Sequence, residues 1–214
     1  MHNYSKNMNK DKTKDIPSKD FNLQKKLCLE KLYKPDNSRK GTVDKAIIPL
    51  IEYINSLDNY YTTSSCSGRI QLLTEADSKH DVKWLLSTHS KTTYAKIDKI
   101  LSSKNLKKYS KDRVWLRQEN LILHVACRTI DDANRLLKIT RDVGLRRGGI
   151  IADSKIIIVE ICSTEKISIP VADKGKLIVS SEYIKLILKI VNQKFSKGQS
   201  RLKRLEEGIK EKLK

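Results

Sequence analysis

Residues 62–69 read Thr-Thr-Ser-Ser-Cys-Ser-Gly-Arg and place hydroxyl groups, a thiol and a guanidinium group in one short segment. Small side chains let the backbone approach a ligand closely, and hydroxyl groups both donate and accept hydrogen bonds. Arg69 can bind a phosphate or a carboxylate through two parallel hydrogen bonds. The segment is typical of a ligand-anchoring turn, but Ser- and Thr-rich turns also join strands without binding anything, and the residue types leave both interpretations open.

The thiol of Cys66 suggests a nucleophile. A reactive thiol needs a lowered pKa and an adjacent base, and no histidine lies near Cys66 in the sequence. We therefore expect a packed, unreactive cysteine, with a thiol-dependent enzyme as the alternative.

Two histidines lie in predicted strands, His89 after Trp84 and His124 in an apolar segment. Histidine exchanges protons near neutral pH, so either residue is a candidate general acid or base. The alternative is a hydrogen-bonded structural histidine.

Residues 144–149 read Gly-Leu-Arg-Arg-Gly-Gly and place Arg146 and Arg147 between glycines at a predicted helix-to-strand turn. Backbone amides and guanidinium groups together can bind an anion there. The alternative is a capped helix followed by a solvated basic loop.

The 214-residue chain carries a formal net charge of +19, with a sequence pI near 9.7. Residues 1–19 contribute +3 and residues 194–214 contribute +5, which leaves +11 for the segment between them. Surface lysines that only interact with solvent explain a smaller excess. The charge therefore predicts a polyanionic partner, with nucleic acid as the first expectation.

Several protein classes are excluded by what the sequence lacks. No apolar run approaches the ~18 residues of a membrane span, and residues 1–19 contain no secretory signal. The four cysteines are widely separated, so we expect no zinc ribbon, no disulfide scaffold, no bound metal and a cytoplasmic protein with reduced thiols. The glycine-rich motifs of Rossmann and P-loop nucleotide sites are also missing.

The hydrophobic pattern predicts alternating helices and strands. Helices are predicted at residues 20–33, from about 42 or 43 with a kink or end at Pro49, and at 92–103, 130–143, 182–195 and 196–214. Strands are predicted at residues 60–64, 69–74, 82–88, 113–116, 121–127, 150–152, 155–162, 167–171 and 177–179. This pattern predicts an α+β, non-Rossmann fold with a mixed or mainly antiparallel sheet and flanking helices.

We expect three regions: a disordered basic arm at residues 1–19, one α+β domain at 20–195, and a basic amphipathic helix at 196–214. The helix carries Leu202, Leu205 and Ile209 at helical spacing, with lysines on its other face.

Five segments occur in a characteristic order along the folded region. They are the Ser64–Arg69 block, the strand from Trp84 to His89, Glu119 leading into Leu123-His124-Val125, the turn at 144–150, and Pro170-Val171 before a helix that contains Tyr183. Over about residues 20–195 this order resembles the tRNA wybutosine-synthesising protein 3 family. The Ser-Cys-Ser-Gly-Arg block is its most specific part.

The resemblance implies an S-adenosylmethionine-dependent methyltransferase that acts on a ring nitrogen of the wyosine-type base beside the anticodon of tRNA-Phe. Residues 20–195 would then form the catalytic domain. Candidate bases or orienting groups are His89, Glu119 and His124. The candidate anchors for the cofactor are Ser65, Cys66, Ser67, Gly68 and Arg69. Arg146 and Arg147 would contact substrate phosphate, and lysines of the terminal helix would hold the tRNA body.

Two positions depart from the family pattern. Asn120 replaces a proline after the glutamate, and Gly148 replaces a small hydroxyl residue, so any ligand contact of Gly148 must come from its backbone. The alternative function is a non-catalytic tRNA-binding or assembly module, which would share the positive charge and need no methyl donor. The oligomeric state is not predicted.

Overall fold

The computed structural model describes residues 18–32, 43–75, 81–151 and 156–213, and only the backbone of Ser18 and Lys19. The predicted arm at residues 1–19 lies outside the described residues except for its last two, which begin the first helix. Within the described residues, no helix is both long and apolar enough to cross a membrane.

Helices and strands alternate along the chain. The α-helices are α1 (Ser18–Leu32), α2 (Ile48–Ser56), α3 (Tyr94–Ile100), α4 (Ser103–Leu106), α5 (Ile130–Asp142) and α6 (Ser181–Lys212). The strands are β1 (Tyr60–Cys66), β2 (Arg69–Thr74), β3 (Trp84–Thr88), β4 (Arg113–Glu119), β5 (Ile122–Cys127), β6 (Arg147–Ile150), β7 (Ile157–Cys162), β8 (Ile167–Asp173) and β9 (Lys176–Leu177).

The strands form a first sheet in the order β1-β5-β7-β6 and a second sheet in the order β3-β2-β4-β8-β9. All described strand pairs are antiparallel, which confirms the predicted α+β, non-Rossmann class. The apolar strand β7 lies between β5 and β6 in the first sheet.

Three chain segments pass directly from one sheet to the other. β1 continues into β2 through Ser67 and Gly68, β4 into β5 through Asn120 and Leu121, and β7 into β8 through residues 163–166. The connected strands have the same order in the two sheets, β1-β5-β7 in the first and β2-β4-β8 in the second. The two sheets therefore continue into each other as one bent surface. We call the bend at these connections the junction.

Helix α6 covers one face of both sheets. Its first half packs Leu188 and Val191 into the core of the second sheet, and its second half packs Leu202 and Leu205 into the core of the first. The predicted helices at 182–195 and 196–214 are thus parts of one continuous helix, about 48 Å long at 1.5 Å per residue. We call the covered side the inner face and the opposite side the outer face.

The outer face is only partly covered. Helix α1 packs Phe21 edge-on against Tyr61 of β1, with ring centroids 5.1 Å apart, and Ala126 of β5 completes this small cluster. Strand alternation places Ser64, Cys66 and His124 on the same face beyond α1. Among the described residues, the outer face near the junction therefore carries polar side chains that α1 does not cover.

Two local predictions change. Pro49 does not kink a helix, because a 3-10 turn at Lys45–Ile47 precedes it and Pro49 lies in the first turn of α2, where its missing N–H costs nothing. Arg147 lies on β6 instead of in the turn before it. Gly144 ends α5 as predicted, with φ +86° and the Leu145 amide bonded to the Thr140 carbonyl.

Candidate functional site

The turn between β1 and β2 is held from two sides. The Ser67 amide donates to Asp44 Oδ2 at 2.8 Å and the Ser67 hydroxyl lies 3.2 Å from the same oxygen. From α6, Gln199 Nε2 donates to the Ser67 carbonyl at 2.9 Å. Gly68 has φ +90°, a conformation that other residues adopt only with strain. These contacts fix the backbone of the Ser-Cys-Ser-Gly-Arg segment before any ligand arrives.

His89 binds the same turn through both ring nitrogens. Its Nδ1 lies 3.0 Å from the Gly68 carbonyl oxygen, and its Nε2 lies 2.9 Å from Asp44 Oδ1. Both partners are hydrogen-bond acceptors, so the doubly protonated imidazolium satisfies both contacts. In that form the ring has no free lone pair, which favours an orienting role for His89 over a role as base.

Asp44 is a site residue that the sequence analysis did not identify. Burial raises the pKa of its carboxyl group, but hydrogen bonds from His89 and Ser67 outweigh burial and hold the pKa below its usual value. An aspartate just before a helix suggests an N-cap, yet its side chain makes no capping bond and turns to Ser67. No local sequence signal distinguishes these two uses.

Cys66 lies beside this pair. Its sulfur, a carboxylate oxygen of Asp44 and a ring nitrogen of His89 all lie within 4.8 Å of one another. Sulfur, nitrogen and oxygen donors at this spacing can hold a transition metal. A metal bound there would replace the direct hydrogen bond between Asp44 and His89.

A second cluster lies on the first sheet. His124 Nδ1 is 2.8 Å from Ser64 Oγ, and His124 Nε2 is 2.9 Å from Glu160 Oε2. The carboxylate can only accept, so the neutral ring carries its proton on Nε2 and turns the Nδ1 lone pair to the Ser64 hydroxyl. The hydrogen bond from His124 lowers the pKa of Glu160. This arrangement can accept a proton through Ser64.

Strand register creates this second cluster. Ser64, His124 and Glu160 lie directly opposite one another on β1, β5 and β7. The sequence identified His124 as a candidate but gave no sign of Glu160 as its partner. The available signal was that Glu160 is a charged residue within the otherwise apolar strand β7.

The two clusters adjoin on the outer face. Ser64 and Cys66 are two residues apart on β1, which corresponds to about 7 Å on one face of a strand. Next to Cys66 the register continues through Ile122 and Cys162 to Arg147 of β6. Burial and the charge of Glu160 raise the pKa of Cys162 to about 11. Polar groups thus extend from Glu160 to His89, with the exposed Arg146 and Arg147 at the sheet edge.

The remaining predicted residues lie around these clusters. Glu119 is not hydrogen-bonded to either histidine among the described residues and instead pairs with Lys166, with Oε2 and Nζ 3.2 Å apart. Ser65 lies opposite the fully buried Leu123, so alternation places it on the inner face. The Arg69 guanidinium lies 6.0 Å from the ring centroid of Trp84, and among the described residues its buried Nε has no hydrogen-bond partner.

Comparisons with known proteins agree over most of the chain. A profile of the family described as Methyltransferase TYW3 matches residues 23–211. The chain is 39% identical over 174 residues to tRNA(Phe) 7-((3-amino-3-carboxypropyl)-4-demethylwyosine(37)-N(4))-methyltransferase 1 of Pyrococcus furiosus, covering 80% of this chain and 86% of the relative. It is 37% identical over 193 residues to the tRNA wybutosine-synthesizing protein 3 homolog of Homo sapiens, covering 87% and 71%.

Solved structures show the same fold. A protein from Pyrococcus horikoshii superposes with a TM-score of 0.77 at 35% identity, over 90% of this chain and 97% of that one. A hypothetical protein from Aeropyrum pernix superposes with a TM-score of 0.65 at 23% identity, over 79% and 99%, and shows the fold alone.

Proposed function

This chain belongs to the Methyltransferase TYW3 family, and we propose that it transfers a methyl group to a ring nitrogen of the wyosine-type base at position 37 of tRNA(Phe). The observation that carries the proposal within the site is the hydrogen bond from the Ser64 hydroxyl to Nδ1 of His124, which presents a proton acceptor on the outer face. The positive charge of the chain suits an RNA substrate. Because that substrate is tRNA, we place the protein in the cytoplasm.

We propose S-adenosylmethionine as the methyl donor; when bound, it supplies an electrophilic methyl group. The residues present fit this molecule. The buried Nε of Arg69 has no partner in the part of the chain that the structure describes, and a guanidinium group suits the donor's carboxylate. Cys66, Ser67 and Gly68 form the fixed turn beside it, so these four residues would hold the donor.

The protein contributes alignment and proton transfer. With the donor bound, a new carbon–nitrogen bond would replace the donor's carbon–sulfur bond, and the ring nitrogen of the substrate would release its proton. Ser64 accepts that proton as its own passes to Nδ1 of His124, and Glu160 stabilises the resulting imidazolium. His89 and Asp44 hold the turn in place, and Glu119 stays paired with Lys166.

Calorimetry and a transfer assay test the proposal together. S-adenosylmethionine and its demethylated product should bind with measurable heat, and the protein should methylate hypomodified tRNA(Phe). Ser64→Ala should slow transfer, whereas Ser200→Ala, a matched change on the exposed side of α6, should not. A protein that binds tRNA but neither binds the donor nor transfers a methyl group would be a non-catalytic module.

A further inference from the structure

The outer face of the second sheet carries an aromatic and basic surface that begins at Arg69 and extends away from the site described above. Along β2 and β4, Ile70, Leu72, Val114 and Leu116 lie in the core, so the residues between them face outward. We call this surface the platform, formed by Arg69, Gln71, Trp84, Trp115, Arg117 and Ser168.

Buried donors on the platform lack partners. Gln71 is only 2% exposed, and among the described residues its Nε2 has no hydrogen-bond partner. The same holds for Nε1 of Trp115. Gln71 lies opposite Arg117, and Trp115 is two residues before Arg117 on the same face of β4. A buried N–H group without a partner is costly, so these two neighbouring donors point to a ligand rich in acceptor oxygens or nitrogens.

Aromatic rings and guanidinium groups alternate on the same surface. Trp84 is 44% exposed and has the Arg69 guanidinium 6.0 Å from its ring centroid. The Arg117 guanidinium lies 5.4 Å from the Trp115 ring, and Arg117 Nε donates to Ser168 Oγ at 3.0 Å. Exposed aromatic faces beside arginine are the elements that stack unpaired bases and contact their phosphates.

Charge at the rim of the platform also suits RNA. Its acidic neighbours are already paired, Glu119 with Lys166 and Asp173 with Arg113. Arg69 and Arg117 therefore keep the surface positive. The platform begins at Arg69, immediately after the turn at Ser67 and Gly68, so a chain lying on it leads directly to the site.

We propose that the platform binds single-stranded nucleotides of the tRNA loop that flank the modified base. This inference rests on the proposed function only in taking tRNA as the substrate. Helix α6 packs on the inner face, so its exposed lysines point away from the platform and cannot contact the same nucleotides. The predicted tRNA contact of the terminal helix would have to involve a more distant part of the molecule.

The two tryptophans of the chain both lie on the platform, so intrinsic fluorescence reports on it directly. A short single-stranded RNA with the anticodon-loop sequence should quench the emission and saturate. A duplex RNA of equal length should quench much less, because its bases are already stacked. Equal quenching by the duplex, or by an acidic polypeptide, would overturn the proposal.

Variants separate the platform from catalysis. Trp84→Ala and Arg117→Ala should each raise the Kd and KM for tRNA about tenfold, since one base stack contributes roughly 1–3 kcal/mol, that is, about 5- to 150-fold. Both should leave kcat at saturating tRNA and the affinity for S-adenosylmethionine unchanged, and Trp84→Phe should restore most of the affinity. Lys203→Ala is the matched control, since its side chain is 78% exposed on α6.

The outcomes distinguish the two proposals. A wild-type protein that methylates tRNA while both platform variants keep normal Kd and KM would overturn the platform alone. A wild-type protein whose fluorescence is quenched by single-stranded RNA but which transfers no methyl group would overturn the proposed function and leave the platform standing.

Discussion

The carboxylate of Asp44 lies 2.9 Å from Nε2 of His89, although Asp44 precedes α2 and His89 follows β3. The same carboxylate accepts the Ser67 amide, and the same ring reaches the Gly68 carbonyl. One ion pair therefore fixes both sides of the turn between β1 and β2. The pair links the stability of the protein to the geometry of its site.

Asp44→Asn should destabilise the protein at neutral pH by about 1.5–3 kcal/mol, the usual contribution of hydrogen bonds to a charged group. The pKa of Asp44 is lowered in the folded state, so its stabilisation is present above the unfolded value of about 3.9 and is lost as pH falls through the folded pKa. The difference in Tm between wild type and variant should therefore shrink in acid. Asp131→Asn, an exposed change in α5, is the control, and a Tm difference independent of pH would contradict the assignment.

His124→Ala should lower the single-turnover methylation rate by about 10²-fold or more with tRNA and donor binding nearly intact. The acid limb of the wild-type pH–rate profile should disappear in the variant, because no ring nitrogen then remains to accept the Ser64 proton. His89→Ala should mainly lower thermal stability and donor affinity, because His89 holds the turn. If neither variant loses the acid limb, Glu119 becomes the leading candidate.

Gly148→Ala should weaken the edge of the first sheet. A Cβ on Gly148 would lie 2.4 Å from the Glu160 carbonyl oxygen, so β6 and β7 must separate. We expect a loss of about 1–3 kcal/mol in the free energy of unfolding, as for other overpacked sites. Gly149→Ala is the matched control, because its Cβ would meet no atom within 4 Å. Equal denaturation midpoints for the two variants would contradict this reasoning.

Cys66→Ala should retain measurable methyl transfer, because direct transfer to nitrogen needs no thiolate. A metal chelator should also leave the rate unchanged. Asp44 and His89, which a metal at this position would need as ligands, are bonded to each other instead. Complete loss of turnover in Cys66→Ala with normal Tm and donor affinity would support a thiol mechanism. Loss of activity on chelation, restored by a divalent metal, would show that Asp44, Cys66 and His89 bind a metal.

Binding to tRNA should weaken steeply with salt, because lysines and arginines that neutralise phosphates release counterions. Replacing both Arg146 and Arg147 with alanine should reduce the slope of log affinity against log salt by about 1.5, as expected for two lost phosphate contacts. The same pair of changes at Lys203 and Arg204 on α6 should alter the slope little. A flat salt dependence in the wild type would remove the electrostatic argument for RNA.

Local patterns in the sequence determined most of the elements. Runs of apolar residues identified β2, β5 and β7, because short apolar runs between turn residues are typical of strands inside a sheet. Helical spacing identified α5, and Gly144 marked its end. The charge of +19 by itself indicates an anionic partner, because a field of that strength attracts polyanions whatever the fold.

Tertiary structure alone decided which side chains meet. Strand register brings Ser64, His124 and Glu160 together, and a one-residue shift would turn any of them to the other face. The irregular pairing between Thr62 and Ser64 adjusts that register, and nothing in the local sequence specifies it. Asp44 and His89 meet because the segment before α2 and the segment after β3 both pack against the turn between β1 and β2. The sequence specifies the side-chain types, but the distances between the side chains of a site depend on long-range packing.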